Sequence, residues 1–135
     1  MTTVRIPRTV ANLILAHVQR HEEREACGLI AGKDGRPLRC YEIPNVASEP
    51  ATRFQMDPAA QIDAMRRMRE AGEELFAIYH SHPRGPALPS SIDLAEAAYP
   101  DTLYLIVSLD TKGVLEMRGF HIREGKVSEV ELVLS

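Results

Sequence analysis

Residues 75–79, Leu75-Phe76-Ala77-Ile78-Tyr79, are apolar or aromatic at every position and run straight into His80-Ser81-His82-Pro83. A short run without polar interruption is the pattern of a strand covered on both faces, which commits the chain to a sheet with a layer on either side. Side chains alternate along a strand, so His80 and His82 project to the same side at its carboxyl end. Pro83 cannot donate to a sheet ladder and stops the strand there.

A loop with Gly85, Pro86 and Pro89 then leads to Ser90, where a helix is expected to start, and Asp93 falls in its first turn. The loop can fold Asp93 back toward the two imidazoles. Imidazole and carboxylate together suit a divalent metal such as zinc without any thiolate. Three protein ligands leave one coordination position for water, the arrangement of a catalytic zinc site, so the pattern predicts a hydrolase. Taken singly, each piece has a plainer explanation: Ser90-x-x-Asp93 is a capping box variant, and paired histidines at a strand end are more often packing or surface residues. Their combination at this order and spacing is what points to a metal.

The remaining chain alternates strands and helices without repeats or an interdomain linker. Pro7 opens a helix to about residue 20, with Val10, Leu13, Ile14, His17 and Val18 at helical spacing. Strands are expected at 27–31 and 38–43, joined by a hairpin at Asp34-Gly35. Asp57 is a suitable N-cap with Pro58 in the first helical position, Ile62, Met65 and Met68 as the buried stripe, and Gly72 at the end. The strand bearing the histidines covers 75–81, another apolar strand covers 102–109, and strands at 115–122 and 127–134 form an antiparallel pair turning at Glu124-Gly125-Lys126. The expected architecture is an α/β sheet sandwiched by helices, in a single domain over 1–135.

Composition narrows the function classes. The 135 residues are 44% hydrophobic and 26% charged, which is ordinary for a globule with a real core. A net charge of −3 and a pI near 5.9 argue against a nucleic-acid partner. No apolar run reaches the ~18 residues that a membrane span needs. The first seven residues lack a signal-peptide core, so a cytoplasmic protein is expected. The sequence is compatible with a homo-oligomer. In the hairpin register Leu29 lies opposite Cys40, so Cys27 and Cys40 are expected to be free, and Cys27, opening an apolar strand, to be a buried inert thiol. His17 and His21 share a helix face and could chelate a metal, but no third ligand is near, and surface histidines are the expectation. His121 reads as an ordinary strand residue.

His80-Ser81-His82-Pro83, seven residues from Pro83 to Pro89, Ser90, two residues and Asp93 resemble the signature of the JAMM/MPN-domain metalloproteases. Glu25-Ala26-Cys27-Gly28-Leu29-Ile30-Ala31-Gly32 is similar to the Glu-x-x-Gly-(Leu/Ile/Val)-(Leu/Ile)-x-Gly opening of that family's second strand, with weaker likeness at Asn45 and at Phe54-Gln55-Met56-Asp57-Pro58. The likeness runs from about Pro7 to Leu109. It implies the three-layer, cytidine-deaminase-like MPN fold, a mixed sheet flanked by helices. It also implies one catalytic Zn2+ held by His80, His82 and Asp93, with Glu25 as general base and Ser90 donating to the oxyanion. It selects Glu25 over Glu22 and Glu23, which sit farther from the strand and are expected in solvent. The implied substrate is the C-terminal Gly-Gly tail of a ubiquitin-like or sulfur-carrier protein, cut at a peptide or isopeptide bond and entering extended by strand addition. An arginine-rich stretch, Arg66, Arg67 and Arg69, could meet an acidic carrier, although a solvated helix face is the plainer reading. A general small-peptide metallopeptidase and a non-catalytic MPN scaffold are the alternatives. A nucleobase deaminase is rejected, because His-x-Glu and a Cys pair are both missing.

Overall fold

The structure, a computed structural model, describes residues 2–135. Its elements are β1 (Thr3–Ile6), α1 (Arg8–Gln19), β2 (Cys27–Lys33), β3 (Arg36–Ile43), α2 (Pro58–Glu70), β4 (Glu74–His82), α3 (Ser91–Glu96), β5 (Leu103–Ser108), β6 (Glu116–Arg123) and β7 (Lys126–Leu134). The strands make one mixed sheet in the order β1-β7-β6-β5-β4-β2-β3. β4 and β5 run parallel, joined through α3, and β2 lies antiparallel to β4 on its other side.

Alternation along the central strands builds two cores. Ala77 and Tyr79 of β4 and Leu103, Leu105 and Val107 of β5 face α1, whose Val10, Ala11, Ile14 and Val18 cover them. Ile78 of β4 and Tyr104 and Ile106 of β5 face the other way, toward Ala64 and Met68 of α2. Both faces of β4 are thus dry, as its uninterrupted apolar sequence requires. Gly28 permits this packing: a Cβ there would overlap the Tyr79 ring and the Tyr41 carbonyl oxygen.

Several expectations need correction. β1 was not foreseen, yet it pairs in parallel with β7. The buried stripe of α2 is Ala64 and Met68, with Met65 partly buried, while Ile62 is 69% exposed. The helix approaches the sheet on a small residue and turns its isoleucine outward. Leu13 of α1 is likewise half-exposed. A bulge shifts the β2–β3 register between Ala31 and Gly32, so Ile30, not Leu29, lies opposite Cys40. The hairpin still turns at Asp34-Gly35, both at positive φ, and both cysteines are free. The helix after Ser90 ends at Glu96. No helix among the described residues is long and apolar enough to cross a membrane.

Candidate metal centre

β4 delivers His80 and His82 to the α2 side of the sheet at its carboxyl end, both buried. Asp93 arrives from the first turn of α3, and its position is set by the cap. Ser90 Oγ accepts from the Asp93 amide at 3.1 Å, while the Ser90 amide donates to Asp93 Oδ2 at 2.9 Å. The capping box and the metal-ligand pattern are therefore one arrangement, with Asp93 serving both. Glu25 comes from the residue pair preceding β2. Its segment is pinned to β4 by Ser81, whose Oγ accepts from the Ala26 amide at 2.9 Å, and to the stretch after β3 by Asn45, whose side-chain amide donates to the Glu25 carbonyl at 2.9 Å. Glu25 is buried, whereas Glu22 and Glu23 are exposed.

The donor atoms converge. His80 Nε2 and His82 Nε2 lie 3.2 Å apart, and Asp93 Oδ2 lies 3.1 Å and 3.0 Å from them. A tetrahedral ion with bonds of 2.0–2.1 Å would space its ligands about 3.3 Å apart, so this triangle matches one small ion. Glu25 completes a group whose ligand atoms all lie within 4.8 Å of one another, and the cluster can bind a metal ion. Two buried atoms in it have no hydrogen-bond partner, Glu25 Oε1 and His80 Nδ1. His82 Nδ1, by contrast, donates to the Pro86 carbonyl at 2.8 Å, which turns the lone pair of Nε2 toward the centre.

Charge at the site follows from burial and these contacts. Burial pushes the Glu25 carboxyl up to about 8, against the opposing pull of His82. Burial would also raise Asp93, but hydrogen bonds from the two histidines and the Ser90 amide outweigh it and hold that carboxylate well below its usual range. His80 is lowered by burial. For His82, the Asp93 and Pro86 contacts overcome burial and raise it.

Two residues with a part in this geometry carried no assigned role in the sequence. Ser81 stands in the quoted signature, but only as the residue between the two histidines. Phe54 stacks on His80, with ring centroids 4.5 Å apart and planes at 27°, a contact that local sequence does not announce. Among the described residues, the other histidine pair belongs to no group of three or more donors close enough to hold an ion. His17 is buried, contrary to expectation, and its Nδ1 sits 2.5 Å from Tyr79 Oη, while His21 is exposed. The Cys27 thiol donates to the Ile43 carbonyl, and burial pushes it up to about 12, so it is inert.

With the fold and the centre in view, the comparisons agree. The family described as prokaryotic homologs of the JAB domain matches residues 7–120. The chain is 40% identical over 129 residues to the "Probable TtuB-protein conjugate cleaving protease" of Thermus thermophilus, covering 96% of this chain and 81% of that one. It is 36% identical over 122 residues to the "CysO-cysteine peptidase" of Mycobacterium tuberculosis, covering 89% and 83%. Among solved structures, protein DSY2949 of Desulfitobacterium hafniense superposes with a TM-score of 0.87 at 34% identity, covering 98% and 92%. A JAB1/MPN domain protein of Archaeoglobus fulgidus shares the fold, with a TM-score of 0.59 at 19% identity, covering 96% of each chain. This chain belongs to the prokaryotic JAB family, and its fold is the JAB1/MPN fold expected from the sequence.

Proposed function

We propose that the protein is a zinc-dependent hydrolase that cuts the peptide or isopeptide bond after the C-terminal Gly-Gly of a ubiquitin-like sulfur carrier. The observation that carries this reading is the convergence of His80, His82, Asp93 and buried Glu25 on one point. The relatives' names supply the substrate class, since one acts on a CysO-cysteine adduct and another on TtuB-protein conjugates. His80, His82 and Asp93 are the ligands in this reading, and one domain spans 1–135. Two free thiols suit a cytoplasmic setting.

Zinc, when bound, supplies an acidified water and a Lewis acid for the carbonyl. The protein supplies the rest. Glu25, buried and within reach of the point where the ligands converge, takes a proton from water and later hands it to the leaving nitrogen. The Ser90 hydroxyl accepts from the Asp93 amide and keeps its own proton for the developing oxyanion. The Pro86 carbonyl and the Ser90 amide hold His82 and Asp93 in place, so little reorganisation is needed at the moment of reaction.

The test is cleavage of Gly-Gly carrier fusions by the metal-loaded protein, with and without chelator, beside Glu25→Gln. The variant is expected to keep its metal and to lose roughly 100- to 10,000-fold in turnover. No cleavage under any condition, with Glu25→Gln indistinguishable from the wild type, would favour a scaffold. Hydrolysis of unrelated peptides, with every carrier fusion left intact, would favour a general peptidase.

A further inference from the structure

Two depressions reach the centre, each bordered by different members of it. A groove of about 190 Å³ reaches His80 and Asp93 and is walled by Phe54, Ile78 and Tyr104. A second, of about 430 Å³, reaches Glu25, His82 and Ser90, and Thr52, Arg84 and Leu88 bound it. Glu25 borders the second and not the first.

That asymmetry orients the substrate, on the reading of the site as a hydrolase. The group that gives a proton to the leaving nitrogen must lie within hydrogen-bond reach of it. The amine therefore departs through the Glu25 side, and the Gly-Gly acyl portion occupies the groove walled by Phe54, Ile78 and Tyr104. Water adds across the C–N bond, leaving a carboxylate on the acyl carbon. The nitrogen takes the proton that Glu25 drew from the water as the C–N bond breaks, and the second water proton, lost as the carboxylate forms, leaves it an ammonium.

The leaving side carries one permanent positive charge, Arg84. It is exposed and takes part in none of the ion pairs among the described residues. Its backbone is nonetheless fixed. Ser108 Oγ donates to the Gly85 carbonyl at 2.7 Å, His82 Nδ1 donates to the Pro86 carbonyl, and Ala87 is fully buried. A guanidinium on a fixed loop suits bidentate capture of a carboxylate. We propose that Arg84 recognises the α-carboxylate of the departing group, so that the preferred substrate is a carrier tail bearing a single amino acid with a free carboxylate. The side chain of a conjugated protein lysine offers no such group. Of the two substrate types named for the relatives, an amino-acid adduct and a protein conjugate, the charge on the leaving side favours the first.

Three carrier-tail substrates test this with the full-length, metal-loaded protein: Gly-Gly-Ala with a free carboxylate, Gly-Gly-Ala amide, and Gly-Gly joined to the Nε of acetyl-lysine amide. The wild type is expected to prefer the free acid by about 10-fold or more in kcat/KM, as a charge-assisted contact allows. Arg84→Ala should remove most of that ratio, and Arg84→Lys should retain part of it. Cleavage of all three without preference, or a preference that survives Arg84→Ala, overturns this inference alone. Failure of the wild type to cut any of them overturns the hydrolase reading as well.

Discussion

His80 is held differently from its neighbour two residues on. The His82 ring is fixed by a hydrogen bond from Nδ1 to the Pro86 carbonyl, whereas His80 Nδ1 is buried with no acceptor. What restrains the His80 ring is Phe54, stacked 4.5 Å away. Partners behind a metal ligand typically change affinity 10- to 100-fold when removed. Phe54→Ala is therefore expected to weaken metal binding by roughly 10-fold, with Phe54→Tyr close to wild type, measured by competition against a chromophoric chelator. Equal affinities for all three proteins would show that the stacking does not hold the ring. At this scale the sequence was informative where a residue type is bound to one chemistry, as with His80, His82 and Asp93. It marked Ser81 and Phe54 as motif positions without their work, because a through-space contact depends on which segment lies beside each residue.

Elements are tied together by polar contacts as well as by the two cores. α1 meets β4 through His17, whose Nδ1 pairs with Tyr79 Oη on the strand face opposite His80, and the Cys40 thiol donates to the same Tyr79 oxygen at 3.3 Å. Burial lowers the His17 pKa below 6.5, with Glu42 opposing and His21 and Arg20 assisting. The sign follows by linkage. Below about pH 6.5 the unfolded chain binds a proton at His17 that the folded chain refuses, so stability falls as pH drops from there toward the lowered folded value. Between about pH 7.5 and pH 5.5 the thermal midpoint is expected to fall, and His17→Asn should flatten part of that slope. An identical slope in the variant would remove His17 as the cause. The same scale explains which elements were readable. α1, α2 and the apolar strands announce themselves by period and caps, as Asp57 does, with its carboxylate accepting from the Ala60 amide. β1 does not, because four residues gain strand structure only by pairing with β7 at the far end of the chain. Ile62 misleads because a period places apolar residues on a stripe without saying how the helix is rotated on the sheet, and here Ala64 takes the contact.

Over the whole molecule, the centre joins parts that the sheet alone joins weakly. Glu25 precedes β2, the histidines end β4, and Asp93 belongs to α3, a six-residue helix with no buried residue, which meets the sheet through Asp93 at the two histidines and through partly buried Leu94. Three converging ligands bound to one ion would lock α3 and its preceding loop onto the sheet. In the unfolded chain these ligands are dispersed and bind metal poorly, so occupancy must stabilise the fold by mass action. At a free metal concentration about 1,000-fold above Kd the gain is about 4 kcal/mol. For a chain of this size that corresponds to a rise of roughly 10 °C in thermal midpoint. Calorimetric scans with zinc and with chelator should show that difference, and Asp93→Ala should abolish most of it while leaving the chelated protein less stable by the lost capping-box contact, about 1 kcal/mol. A midpoint unmoved by zinc in the wild type would mean that the triangle of His80, His82 and Asp93 does not hold an ion, and the hydrolase reading would fall with it.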